Sequence, residues 1–140
     1  MSSATKPHPL SLFLVEDETL IRMMVAEMIE ELGHTVAAEA CDLKQALNLA
    51  QTASFDVAIL DINLSGQRID PVAAILSHRN LPFIFASGYG DAGLTDGFRD
   101  RPTLQKPFIL SQLADAIETA MQPNGPGRPH MDGSATSRIP

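Results

Sequence analysis

Four short stretches of this chain carry side chains able to do ionic or covalent chemistry, and each stands at the end of a run that reads as a strand. Glu16, Asp17 and Glu18 follow LSLFLV (10–15), Asp61 closes DVAILD (56–61), Ser87 closes PFIFAS (82–87), and Lys106-Pro107 stands within TLQKPF (103–108). Acid, acid, hydroxyl and amine therefore stand at four predicted strand ends. Carboxylates brought to one edge would repel and raise one another's pKa unless a cation joined them. A hard divalent ion with oxygen ligands suits that role, Mg²⁺ above all, because it keeps several waters and needs only one or two carboxylates. Asp61, held against that charge, is placed to act as a nucleophile toward electrophilic phosphorus. Lys106 would offer a mobile ammonium to phosphate oxygens and Ser87 a hydroxyl.

These groups meet only if the elements bring the run ends together. LSLFLV is a continuous apolar run, as expected for a strand covered on both faces. ETLIRMMVAEMIEELG (18–33) sets Leu20, Ile21, Met24, Val25, Met28, Ile29 and Leu32 on one helical stripe, with Gly33 as its stop. TVAAEA (35–40) predicts a second strand, and Asp42 an N-cap for a helix through LKQALNLAQ. DVAILD is a third strand, DPVAAILSHR (70–79) a third helix, PFIFAS a fourth strand, and TLQKPF (103–108) contains a short fifth. SQLADAIETAM (111–121) closes the domain with Leu113, Ala114, Ile117, Ala120 and Met121 on one stripe. Five strands alternating with helices predict an α/β fold, a doubly wound parallel sheet with helices on both faces. In such sheets functional groups gather at the carboxyl ends of the strands, where all four stretches fall. Between strands four and five, GYGDAGLTDGFRDR carries four glycines, so the fourth helix is expected to be short or frayed.

The motifs FLVEDE, AILDINLSG, FASG and KPF, in this order and each at a predicted strand end, resemble the signature of two-component response-regulator receiver domains. The resemblance covers about residues 10–121. It implies a flavodoxin-like sheet of strand order 2-1-3-4-5. It implies that Asp61 accepts a phosphoryl group, Asp17 ligates Mg²⁺, Glu16 acts through a metal-bound water, and Asn63 offers its backbone carbonyl to the metal. Ser87 matches the hydroxyl that bonds the phosphoryl group and Lys106 the site lysine, with Pro107 implying a cis peptide that aims the amine inward. The phosphodonor would be a sensor histidine kinase or a phosphotransfer protein.

Two sites, three residues in all, depart from the common receiver pattern. Thr103 stands where many receivers carry an aromatic switch residue, and Leu64-Ser65 replaces the usual Met-Pro. FASGYG is similar to the FATGYG of the FAT GUY receivers, mostly single-domain proteins that pair with histidine kinases of HWE or related type. That similarity implies signalling by ordering of the glycine-rich segment instead of an aromatic swing, and leaves open whether Tyr89 is a substitute switch residue or an ordinary exposed loop tyrosine.

Bulk properties agree. A chain of 140 residues fits one domain, here residues 10–121 between tails 1–9 and 122–140, which are expected to be flexible. The net charge of −7 gives no basic face for nucleic acid. The single Cys41 excludes an internal disulfide and points to a reducing, cytoplasmic home. No apolar run reaches the ~20 residues that span a bilayer. The N-terminus lacks a signal-peptide core, and no output domain follows, so DNA binding in cis is not expected. A monomer or weak dimer is expected.

Two other chemistries compete. A haloacid-dehalogenase-type phosphatase would use Asp61 as nucleophile but needs a second acid two residues on, where this chain has Asn63. A flavodoxin-like cofactor binder would need a Gly/Ser/Thr-rich loop after the first strand, and EDET has the wrong charge for an anion. The remaining residues receive plain readings. Met23, Met24 and Met28 are expected to be core filler, Cys41 a small buried hydrophobe, and Glu27, Glu30 and Glu31 a solvated face. His8, His34, His78 and His130 show no metal spacing. Phe98, Arg99 and Arg101 are assigned to a partner surface.

Overall fold

The computed structural model describes residues 8–88, 98 and 100–122. The two tails, except His8, Pro9 and Gln122, and the glycine-rich segment with Tyr89 and Arg99 lie outside the described residues. Among these, the chain runs β1 (Ser11–Val15), α1 (Thr19–Glu31), β2 (Thr35–Ala40), α2 (Leu43–Thr52), β3 (Val57–Asp61), β4 (Asn63–Leu64), β5 (Gln67–Arg68), α3 (Asp70–His78), β6 (Phe83–Ser87), β7 (Thr103–Gln105) and α4 (Leu110–Met121). Five parallel strands form one sheet in the order β2-β1-β3-β6-β7. This is the predicted 2-1-3-4-5 arrangement with a small antiparallel hairpin, β4–β5, inserted after the third strand.

Strand alternation divides the core in two. Phe13, Val15, Ala58, Leu60, Phe83 and Phe85 face α2 and α3, where Ala46, Ala50, Val72 and Leu76 meet them. Leu12, Leu14, Val57, Ile59, Ile84 and Ala86 face α1 and α4 and pack on Val25, Ile29, Leu113 and Ile117. The central strands are apolar on both faces because both faces are covered.

Local signals behaved as their chemistry requires. Gly33 ends α1 at φ 91°, with its own amide bonded to the Glu30 carbonyl and that of His34 to Ile29. Asp42 caps α2 by accepting from the Gln45 amide at 2.8 Å, while Gln45 Oε1 accepts from the Cys41 amide at 2.9 Å.

Three expectations are corrected. The α1 stripe is wider than the surface it covers: Leu20, Met23 and Met24 are 74%, 55% and 59% exposed, so Met23 and Met24 are not core filler. Cys41 is exposed, because β2 is an edge strand and the chain leaves it at that point. Phe98 and Arg101 are packed inward. The Phe98 ring lies 5.9 Å from Phe83 and 6.1 Å from Phe85, and the Arg101 guanidinium stacks 4.2 Å over Phe83 while donating to Ser77 Oγ at 2.8 Å. No helix of the described residues is long and apolar enough to cross a membrane.

Candidate functional site

The parallel sheet brings the carboxyl ends of β1, β3, β6 and β7 to one edge. Alternation runs to the last residue of β3 and continues one residue past β1 and β7. Glu16, Asp61 and Lys106 keep the phase of Leu14, Ile59 and Leu104, which face α1 and α4. Their side chains consequently meet. Lys106 Nζ donates to Glu16 Oε1 at 3.1 Å and to Asp61 Oδ2 at 3.2 Å, bridging residues from opposite ends of the chain. Glu16 and Asp61 are each only 3% exposed, so the lysine offsets two carboxylates that water reaches poorly. The peptide between Lys106 and Pro107 is cis, as the sequence implied.

The second oxygens are also occupied. Glu16 Oε2 accepts from the Glu18 amide at 3.0 Å, and Asp61 Oδ1 from the Asn63 amide at 3.3 Å. Asp17 sits on the loop after β1 and accepts from Ser65 Oγ at 2.6 Å. Arg22 of α1 fixes that loop from behind, donating to the Glu16 carbonyl at 2.8 Å and pairing with Glu39 at 3.1 Å.

Electrostatics follow from burial and like charge. Burial pushes Asp61 up first and the Glu16 carboxylate pushes it further; Lys106 opposes both, and the balance stands at about 7 against an ordinary 3.8. Lys106 is held above its ordinary value because its two carboxylate neighbours outweigh burial. Burial works to raise Asp17, but hydrogen bonds led by the Ser65 hydroxyl hold it below the ordinary range.

Glu16, Asp17 and Asp61 each present an oxygen within 4.8 Å of the others. Hard anionic oxygens at that spacing, with Asp17 and Asp61 lining a cavity of about 530 Å³, suit a small divalent cation. Asp17, Glu18 and Asp61 line that cavity together with the apolar Ile21, Met24, Val25, Met28 and Phe108.

Ser87 differs from its partners. As the last residue of β6 it has the phase of Phe83 and Phe85, the opposite face, and its hydroxyl makes a long 3.5 Å contact with the Gly88 carbonyl. Its own carbonyl accepts from the Lys106 amide at 2.8 Å, so the two strand ends are locked in register. The Asn63 side chain is turned to the hairpin, accepting from the Gly66 amide at 2.7 Å. It has no acid proton to give, which leaves the phosphatase alternative without its second acid. Thr103, at the switch-aromatic position, is exposed and donates to the Arg101 carbonyl at 3.4 Å.

Ser65 escaped the sequence reading as a site residue, although the Ser-Gly pair between Leu64 and Gln67 is a turn signal. His34 was also missed as a buried group: its Nδ1 accepts from the Leu10 amide at 3.0 Å, tying the entry of β1 to the end of α1. Nothing in its sequence neighbourhood announces that bond.

Known proteins resemble this chain in sequence and fold. Transcriptional regulatory protein PdtaR of Mycobacterium tuberculosis is 35% identical over 117 residues, covering 81% of this chain and 57% of PdtaR. The chain thus spans little more than half the length of that curated relative. SdrG from Sphingomonas melonis Fr1 superimposes with a TM-score of 0.72 at 40% identity, over 79% of this chain and 94% of SdrG. The response regulator PhyR from Brucella abortus gives 0.69 at 32% identity, over 82% of this chain and 49% of PhyR. The family model for the response regulator receiver domain matches residues 12–118. Matched along nearly its whole described length, and folded as these relatives fold, the chain belongs to the receiver domains of two-component signalling.

Proposed function

We propose that the chain is a phosphorylation-controlled receiver in which Asp61 takes a phosphoryl group from the phosphohistidine of a sensor kinase or phosphotransfer protein. The P–N bond of the donor breaks as a P–O bond forms to the Asp61 carboxylate, and the departing imidazole regains its electron pair and then a proton. The observation that carries this reading is the Lys106 ammonium bridging Glu16 and Asp61 with Asp17 within a shared cation's reach. Glu16, Asp17, Asp61 and the Asn63 backbone carbonyl would hold Mg²⁺, which supplies positive charge against phosphoryl oxygens. Lys106 is positioned to follow those oxygens, and the weakly engaged Ser87 hydroxyl is free in energy terms to exchange Gly88 for one of them.

An apolar rim supports a protein donor. Met24 lines the cavity, and exposed Leu20 and Ile109 adjoin the lining residues Ile21 and Phe108. Similarity to SdrG and PhyR, with Thr103 at the aromatic position, supports a FAT GUY-type receiver served by a kinase of HWE or related type in the cytoplasm. Output then runs through protein contacts.

Incubation with a small acyl phosphate and Mg²⁺, followed by intact-mass and peptide analysis, tests the reading. One phosphoryl group on Asp61 is expected, absent in Asp61→Asn and after chelation of the metal. An unmodified wild-type mass, or label on another residue, would overturn it.

A further inference from the structure

The turn joining β4 to β5 holds Ser65 at φ 51° and Gly66 at φ 91°. With Asn63 opposite Arg68 and Leu64 opposite Gln67, this is a two-residue hairpin of the kind whose first position favours Asn, Asp or Gly. Serine is a strained choice there. The turn does not need its hydroxyl, because Asn63 Oδ1 already accepts from the Gly66 amide. What serine adds is a bond to Oδ2 of Asp17, 48 positions away, at 2.6 Å. That is the length of a hydroxyl donating to an ionised carboxylate.

Asp17 needs such a partner more than the other two acids do. Lys106 holds Glu16 and Asp61 in the closed interior, whereas Asp17 sits on a loop and is part-exposed. An ionised carboxylate offers about four lone-pair sites, so one bond to Ser65 leaves room for a cation. The side chain is then already ordered before anything binds, and ordering it at the moment of binding would cost entropy.

We propose that Ser65 is a positioning residue for the divalent-cation site, its hydroxyl tethering Asp17 to the β4–β5 turn so that cation binding and hairpin geometry are coupled. The proposal rests on the reading of Asp17 as a cation ligand. It assigns the sequence change at this position a purpose: a turn residue has become part of the acid edge.

Two variants separate hydroxyl from backbone. Ser65→Gly removes the hydroxyl and relieves the left-handed strain, and Ser65→Ala removes the hydroxyl and keeps the strain. Full-length wild type and both variants are titrated with Mg²⁺ while amide NMR shifts are followed, and their melting temperatures are measured without metal. In wild type, Mg²⁺ is expected to shift the Gly66 amide together with amides next to Asp61. In both variants the Kd for Mg²⁺ should weaken by about 3- to 10-fold, and the Gly66 response should vanish while that near Asp61 persists. Ser65→Gly should melt no lower than wild type, so the loss cannot be assigned to unfolding. Wild-type affinity in either variant overturns the proposal while leaving the reading of the site intact. A wild-type protein with no Mg²⁺-dependent shift would overturn both.

Discussion

Asp61 is costly to ionise in the metal-free fold, and its sign can be followed with pH. Its pKa is raised from 3.8 to about 7, so folding favours the protonated form. The associated stability is full below about pH 4 and is lost as pH rises through about 7. Without metal, the melting temperature should therefore fall as pH rises from about 4 to about 7 and level off above that. Asp61→Asn should remove that fall and raise the metal-free melting temperature at about pH 8 by roughly 3–6 °C, the equivalent of about 1–2 kcal/mol in a domain of this size. Adding Mg²⁺ should stabilise wild type more at about pH 8 than at about pH 6, and leave Asp61→Asn nearly unmoved. Differential scanning calorimetry at several pH values checks all three. His34 has the opposite dependence. Burial lowers its pKa below 6.5, and protonation would take the acceptor from the Leu10 amide, so its contribution is lost as pH falls. Glu16, Asp61 and Lys106 were legible in the sequence because each stands at the carboxyl end of a parallel strand, where strand order alone brings them together. Ser65 and His34 were not, because each acts through a contact that only the folded chain creates.

At the scale of elements, the principal strands and helices were legible to within a residue or two, and the hairpin was not. Strand runs and helical stripes repeat over many residues. The β4–β5 pair has two residues on each side, too few for any period to show. The α1 stripe misled in the other direction: its pattern is apolar across more of the helix than the sheet can cover, and sequence period carries no information about where the sheet stops. One long-range clamp also has no sequence signature. Arg79, just past α3, donates to the Ala50 carbonyl at 2.5 Å and the Ala53 carbonyl at 3.2 Å at the end of α2, with its guanidinium 5.9 Å over the Phe55 ring. Those carbonyls lack helical partners, and a cation there also meets the negative end of the helix dipole. Arg79→Ala should cost about 1–2 kcal/mol in urea unfolding. Arg79→Lys should recover only part of it, because an ammonium cannot span both carbonyls as a fork does.

For the whole molecule, stability and the proposed donor recognition fall on different surfaces. The inner one is the pair of aliphatic and Phe clusters on the two sheet faces. Leu76→Ala or Ile29→Ala, one on each side, should lower stability by about 2–5 kcal/mol, because both side chains are wholly enclosed. The outer one is the apolar rim beside the acidic edge. Met24→Gln or Leu20→Gln should change unfolding free energy by less than about 0.5 kcal/mol, since both residues are solvent-facing. The same changes should slow phosphorylation by a protein donor and leave labelling by a small acyl phosphate unchanged. Equal slowing with both donors would place the effect in the acid edge itself.

Cys41 brings a practical dividend. It is the chain's sole thiol and stands in the open where β2 ends, with Sγ only 3.3 Å from Gln45 Oε1. A maleimide dye or spin label can therefore be attached at one defined point of the native chain, with no prior mutagenesis. The same accessibility permits two molecules to crosslink in air, so any mass measured in solution has meaning only with reductant present.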